Sequence, residues 1–362
     1  MSTKDTPSTM RQWTTDQKGI KNIKLEEVKT PSESDLKEGE VLVKITCVSL
    51  NYRDTEVCNG TYGHHRSLSQ DAKVVPCSDM CGAVIASKSS SLKVGTRVLS
   101  TFNQSHLTGQ VTAKDLATGT GFPLPGVLTQ YRVFPDHALV TAPTHLTNSE
   151  ASTLPIAFVT AWTSINYFQP LHNPHHSPNT TLLLLGTGGV SIAGVLLGKA
   201  LGLTTIITSS SDQKLQRAKT LGADHIINYR TTPNWDDKVL ELTGDKGADI
   251  VFETGGSQTI EKSFNCVAFG GLISAIGYVS GKEESAESKV NVNVLALRRN
   301  VTLKGILNGP RDRFQEMIDV AFQEDKGVKP VVDQVFEFEQ AREALKYLES
   351  GSHFGKVVIK VG

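Results

Sequence analysis

The hydrophobic positions change period along the chain, and the change divides it. In residues 40–146 apolar residues come in short runs broken by turns. Glu40–Val48 (EVLVKITCV) alternates as a half-buried strand does. Ala83–Ala86, Arg97–Ser100 and Tyr131–Phe134 are further short strands, separated by loops rich in Gly, Thr and Ser such as Leu107–Gly126. Ser149-x-x-Ser152 with Glu150 opens a helical stretch that runs through Tyr167, with Asn148 as its expected N-cap. Gln169–Asn179 (QPLHNPHHSPN) then carries three Pro and three His. Its histidines invite a metal reading, but their spacing suits no regular site and the prolines deny them a common helical face, so a connector is expected.

From Thr181 the pattern becomes strand, helix, strand, helix. Strands are expected over Thr181–Leu185, Thr204–Thr208, Ile226–Asn228, Asp249–Phe252, Leu272–Gly277 and Val301–Ile306. Helices are expected between them over Gly189–Leu201, Asp212–Leu221, Trp235–Leu242 and Ile260–Val267. Continuous apolar strands alternating with helices mean a parallel sheet covered on both faces, a doubly wound α/β domain. Beyond Pro310, the apolar positions Phe314, Met317, Ile318, Ala321 and Phe322 keep helical spacing. A helix around Glu339–Glu349 and a strand Lys356–Val361 close the chain and are expected to pack back on the β-rich first part.

Composition changes this picture only by exclusion. The 37 Lys+Arg balance 37 Asp+Glu, so no global field attracts polyanions and no nucleic-acid partner is expected. The longest apolar runs, such as Thr181–Leu185, fall far short of the ~20 residues that span a bilayer. The polar start (MSTKDTPSTMRQW) has no signal-peptide pattern, and five Cys without a C-x-x-C fit a reducing, cytoplasmic setting.

The chemistry begins where the first parallel strand ends. Thr181–Leu185 runs into Gly186-Thr187-Gly188-Gly189-Val190-Ser191 and then a helix. Gly186, Gly188 and Gly189 permit a tight turn and close approach to a pyrophosphate, and the helix N-terminus at Val190 offers N–H groups to that anion. Ser191 stands where the third glycine of the pattern falls. The second strand ends at Ser209-Ser210-Ser211 with Lys214 following, where an NAD site usually has Asp or Glu. Small hydroxyls and an ammonium suit a 2′-phosphate, so NADP(H) is the expected cofactor. Asp212 complicates this, although Asp is common at a helix start anyway. Tyr229, after the third strand, could border the same pocket.

Several stretches resemble the medium-chain dehydrogenase/reductase superfamily, on its zinc-independent, quinone-oxidoreductase-like side. They are Leu50-Asn-Tyr-Arg-Asp54, Pro76-Cys-Ser-Asp79 with Gly82, Thr153–Trp162, Gly186–Ser191, Thr208–Asn228 and Gly355–Lys360. Thr208–Pro233 is most similar to a group commonly labelled zinc-type alcohol dehydrogenase-like. The resemblance implies a GroES-like β-rich catalytic domain split around an inserted Rossmann domain, with the active site in the cleft. The expected boundaries are 1–168, 169–306 and 307–362. Zinc-dependent relatives place their catalytic ligands where this chain has Asn51, Ser78 and Ile156, and no plausible zinc set results. The stretch 100–130, where relatives carry four Cys for a structural zinc, has none. No metal is therefore expected, and Cys77 and Cys81 are expected to be packed thiols.

Without a Lewis acid a simple carbonyl is hard to polarise, whereas a conjugated acceptor moves charge to a remote oxygen that hydrogen-bond donors can stabilise. The expected function is NADP(H)-dependent hydride transfer to an enone or quinone. By resemblance, Asn51, Tyr52 and Arg53 are the expected donors, Thr160 lies beside the nicotinamide, and Gly255, Gly256 and Gly277 border the cofactor. Asp54 is expected to hold its loop by hydrogen bonding. A zinc-free alcohol or aldehyde oxidoreductase and a weakly catalytic nucleotide-binding protein stay open as alternatives. The expected partners are a small-molecule substrate and a second copy in a homodimer. Loops near 56–70, 102–126 and 280–296 carry no pattern that names the substrate.

Overall fold

The computed structural model describes residues 6–63, 73–281 and 290–362. Parts of two loops named above, 64–70 and 282–289, lie outside the described residues. The chain forms two compact units: one joins the residues up to Val159 with Gly309–Gly362, the other is Thr160–Asn308. The first boundary thus falls inside the helical stretch, nine residues before the expected one.

The first unit is a mostly antiparallel β structure. Its largest sheet runs in the order Val332–Glu337, Lys356–Lys360, Glu40–Ser49, Asp79–Ser87, Arg97–Ser100, Leu139–Thr141, and Tyr131–Pro135 also pairs with Glu40–Ser49. The last strand of the chain lies antiparallel to Glu40–Ser49, with Val358 opposite Ser49. That pairing ties the C-terminal segment into the first unit, as the apolar pattern predicts. Val41, Val43, Ile45 and Val48 of the central strand join Val357 and Ile359 in one core. A hairpin of Thr9–Thr14 and Lys24–Lys29 escaped the sequence reading, because TMRQWT and KLEEVK lack an apolar alternation.

The helical stretch near 150 differs from expectation. Thr147, not Asn148, caps it: its hydroxyl accepts from the Glu150 N–H and the Glu150 carboxylate accepts from the Thr147 N–H. A short helix, Asn148–Ala151, is followed by a π-helical turn, Leu154–Phe158, and by a helix, Val159–Ile165. Pro155 supplies no N–H and the Ile156 N–H is drawn to the Asp79 carboxylate, so a single continuous ladder does not form.

The second unit is a six-stranded parallel sheet. Its spatial order is His225–Asn228, Thr204–Ser209, Thr181–Leu185, Ala248–Glu253, Val267–Ala275, Thr302–Gly305. In chain order that is 3-2-1-4-5-6, the doubly wound arrangement with its switch point beside the first strand. All five residues of Thr181–Leu185 are buried, as a strand covered on both faces requires. The helix Gly189–Ala200 packs closely on this strand because of its glycines: a Cβ at Gly194 would meet Leu184 Cδ2 at 2.7 Å. The fifth strand starts at Val267, earlier than expected, where the preceding helix ends at Cys266. Gln169–Asn179 is irregular, and His176 Nε2 pairs with Asn166 Oδ1 at 2.9 Å. The histidine cluster therefore reads as part of a connector. No helix among the described residues is long and apolar enough to cross a membrane.

Candidate functional site

In the second unit the glycine turn has the form expected of a phosphate cradle. Gly186 has φ +78° and Gly188 is the N-cap of the following helix, with no side chain capping it. The first N–H groups of a helix have no partner within it, so the N–H groups from Gly189 and Val190 onward face the turn. A Cβ at Gly186 or Gly188 would have no atom within 4 Å, so both glycines border open space. Ser191 explains the missing third glycine. It is buried, and its hydroxyl donates to the Leu185 carbonyl at 2.7 Å. These residues fit a dinucleotide pyrophosphate.

At the end of the second strand Ser209 is buried, and its hydroxyl accepts from the Ser211 N–H at 3.3 Å. Ser211 caps the next helix by accepting from the Lys214 N–H. Ser210 is half-buried and Lys214 lies in the first turn. The Asp212 carboxylate accepts from Asn228 Nδ2 at 2.7 Å, which ties it to the third strand. Tyr229 is half-exposed, and its N–H donates to the Ser209 carbonyl. Thr160 is buried and donates to Asn308 Oδ1 at 3.3 Å.

Gly255, Gly256 and Gly277 belong to one assembly whose organiser the sequence did not reveal. Glu253, buried at the end of the fourth strand, accepts through Oε1 from the N–H groups of Gly255 (2.8 Å) and Gly256 (3.0 Å) and from Thr259 Oγ1 (2.5 Å). Its Oε2 accepts from Ser263 Oγ at 2.5 Å. The Glu253 carbonyl accepts from the Gly277 N–H. A Cβ at Gly256 would lie 2.8 Å from Tyr278 Cα, so this glycine lets two strand-end loops meet.

In the first unit the Leu50–Asp54 motif is the start of a helix, Tyr52–Asn59. The Asp54 carboxylate accepts from the Asn51 N–H at 2.8 Å, so Asp54 does hold this turn. Tyr52 is 44% exposed. Arg53 is enclosed: it donates to Asp54 Oδ1 (3.2 Å) and to the Thr120 and Phe122 carbonyls, and its guanidinium lies 4.8 Å from the ring centres of both Tyr62 and Phe102. Asn51 is buried, and its Oδ1 accepts from Lys356 Nζ at 2.5 Å. Lys356 also donates to the Leu50 carbonyl.

The Asp79 carboxylate is fully buried. It accepts from Ser78 Oγ at 2.7 Å and from the Ile156 N–H at 3.0 Å. Burial pushes its pKa up, while Lys356, the Asn51 amide, Ser78 and the Ile156 N–H oppose the rise. Burial likewise lifts Asp54 to about 6, with Arg53 opposing. Burial pushes the Lys356 ammonium down, and Asp79 and Asp54 pull it back. Cys77 precedes this group with φ +70°, and Gly121 and Gly126 leave room against its backbone. All five Cys are free and buried. Burial raises the thiol pKa values, to about 12 at Cys58 and about 11 at Cys81, in keeping with packed thiols.

The sequence matches two families: residues 37–144 match "Alcohol dehydrogenase GroES-like domain" and residues 189–323 match "Zinc-binding dehydrogenase". A zinc-type alcohol dehydrogenase-like protein of Schizosaccharomyces pombe is 38% identical over 95% of this chain and 96% of its own. The 2-methylene-furan-3-one reductase of Solanum lycopersicum is 30% identical, over 98% of this chain and 79% of its own. The crystal structure of a candidate alcohol dehydrogenase from Sinorhizobium meliloti 1021 superposes with a TM-score of 0.85 at 36% identity, covering 98% of this chain and all of that one. The second family's name implies zinc. Asn51 and Ser78 are poor zinc ligands, Ile156 has no side-chain donor, and all three positions are already engaged with Lys356 or Asp79. No cluster of three or more His, Cys, Asp or Glu among the described residues is arranged to hold a metal. The GroES-like unit, the doubly wound unit with its glycine turn, and these matches over nearly the whole chain place the protein in the medium-chain dehydrogenase/reductase superfamily of oxidoreductases.

Proposed function

We propose that the protein is a metal-independent, NADP(H)-dependent reductase of activated double bonds, acting on an enone or a quinone. The observation that carries this reading is what occupies the three positions that the resemblance matches to zinc ligands: Asn51 accepts from buried Lys356, and Ser78 and the Ile156 N–H donate to buried Asp79. NADPH, when bound, supplies the hydride. Gly186, Gly188 and the helix N-terminus at Gly189 and Val190 would hold its pyrophosphate. Ser209, Ser210 and Lys214 would hold the 2′-phosphate, with Asp212 held to Asn228. Thr160, Tyr229, Gly255 and Gly277 complete the proposed cofactor set.

Of the three expected donors, Tyr52 is the exposed one and supplies the hydrogen bond that meets charge on the substrate oxygen. Arg53 spends its guanidinium on Asp54, two carbonyls and two rings, and Asn51 is held by Lys356, so both act as positioning residues. The relative named 2-methylene-furan-3-one reductase supports the substrate class. A zinc-free alcohol or aldehyde oxidoreductase is the second reading, favoured by the alcohol dehydrogenase-like name of the Schizosaccharomyces pombe relative.

Elemental analysis joined to turnover tests the proposal. The purified protein is expected to hold no stoichiometric zinc and to oxidise NADPH with enones or quinones in the presence of a chelator. About one zinc per chain, lost together with activity on chelation, would overturn it.

A further inference from the structure

The three positions that the resemblance matches to zinc ligands lie here on two buried groups of opposite charge, Lys356 and Asp79, which do not touch one another. Asn51 Oδ1 accepts from Lys356, and Ser78 Oγ and the Ile156 N–H donate to Asp79. Lys356 is 4% exposed, and Asp79 and Asp54 are fully buried. The charges balance: Lys356 and Arg53 are the cations, Asp79 and Asp54 the anions. Burying a charge is costly unless it is paired, and removing one member of a buried set leaves an uncompensated charge.

We propose that Lys356 is a tethered cation that fills the cation position of this polar centre and thereby positions Asn51. An ammonium has three donors and no acceptor, so it can face only the oxygen of the Asn51 amide. The Asn51 NH2 group is therefore turned away from Lys356. That group makes no hydrogen bond, although the Asn51 amide is among the groups that oppose the rise of the Asp79 pKa. Lys356 thus fixes which way the Asn51 amide is turned, and Asn51 is the residue immediately before Tyr52 on the helix start. The inference deepens the metal-free reading above, and its main readouts do not use turnover, so the two can fail separately.

The test uses the full-length protein with Lys356→Ala, which removes a propylammonium-sized group. On the cofactor-free variant, n-propylamine is expected to raise the melting temperature saturably and to bind about ten-fold more tightly than n-propanol, since it restores a charged hydrogen-bond donor. Turnover, where present, is expected to recover over the same amine concentrations, mainly in kcat. Equal action by propanol, which fills the same volume without charge, overturns the proposal, as does a folded variant indifferent to the amine. Lys356→Met and Asp79→Asn provide a second measurement. Each alone leaves one unbalanced charge, whereas the double variant is neutral, so the double is expected to be more stable than the sum of the single losses predicts. Additive losses, or a double variant that fails to fold, overturn the inference.

Discussion

Removing the Glu253 carboxylate should loosen the edge of the second unit where Gly255, Gly256 and Gly277 lie. In Glu253→Ala the Gly255 and Gly256 N–H groups lose their acceptor in a half-buried setting, and Ser263 Oγ loses its acceptor in a fully buried one. An unsatisfied buried donor costs about 1–3 kcal/mol, and the two half-buried N–H groups fall at the low end, ~1 kcal/mol each. The buried Ser263 hydroxyl adds about 2 kcal/mol, whereas Thr259 Oγ1 adds little because it already has an alternative acceptor in the Gly256 carbonyl at 3.3 Å. Glu253→Gln keeps one carbonyl oxygen for both N–H groups and can donate to Ser263 Oγ, so it should lose only the reinforcement by charge, about 1 kcal/mol. Urea unfolding of the three proteins should rank them wild type, Gln, Ala, with roughly 4 kcal/mol between the ends. NADPH titration should follow the same order, since the two loops are expected to border the cofactor. A Glu253→Ala protein within about 1 kcal/mol of wild type, or a Gln variant as damaged as Ala, would refute this reasoning.

Other substitutions separate folding from cofactor binding. Gly188 has ordinary φ and open space around it, so Gly188→Ala should leave the melting temperature unchanged and weaken NADPH; a Cβ at Gly126 would lie 2.2 Å from two carbonyl oxygens, so Gly126→Ala should cost about 1–3 kcal/mol or more by thermal or urea unfolding. The wild type should bind NADPH more tightly than NADH, and Ser209→Asp should flatten or reverse the preference in fluorescence titration; equal wild-type affinities would contradict the NADP(H) assignment. The strand Thr302–Gly305 is the edge of its sheet among the described residues and Leu303 on it is exposed, so light scattering should give twice the 39.2 kDa chain mass, and Leu303→Lys should reduce it.

The second unit was the most legible part of the chain. Strands buried on both faces are written as apolar runs, and Thr181–Leu185 and Asp212–Leu221 match their expected limits. The cap at Thr147 was present in the sequence as Thr147-x-x-Glu150, but the neighbouring Asn148 and Ser149 are also cap-forming residue types. The parts that stayed hidden depend on distant partners. Lys356 meets Asn51 across 305 positions, and nothing local to Gly355–Lys360 distinguishes a buried ammonium from an ordinary strand lysine. Glu253 looks like a strand-end acid until the Gly255–Ser263 turn folds over it. Arg53 shows the opposite limit: its position in the motif pointed to chemistry, while its contacts spend it on structure.

Where the hydride goes is the most direct test of the proposed chemistry. With NADPH deuterated at the transferred position and a simple enone as acceptor, mass spectrometry and NMR of the product should find the label on the β-carbon. That outcome follows from the proposed metal-free site, in which Asn51, Ser78 and Ile156 stand where the resemblance puts zinc ligands and the proposed donor meets charge on a remote oxygen. Label on a carbinol carbon, with simple aldehydes as the better substrates, would contradict the account and favour the alcohol oxidoreductase reading.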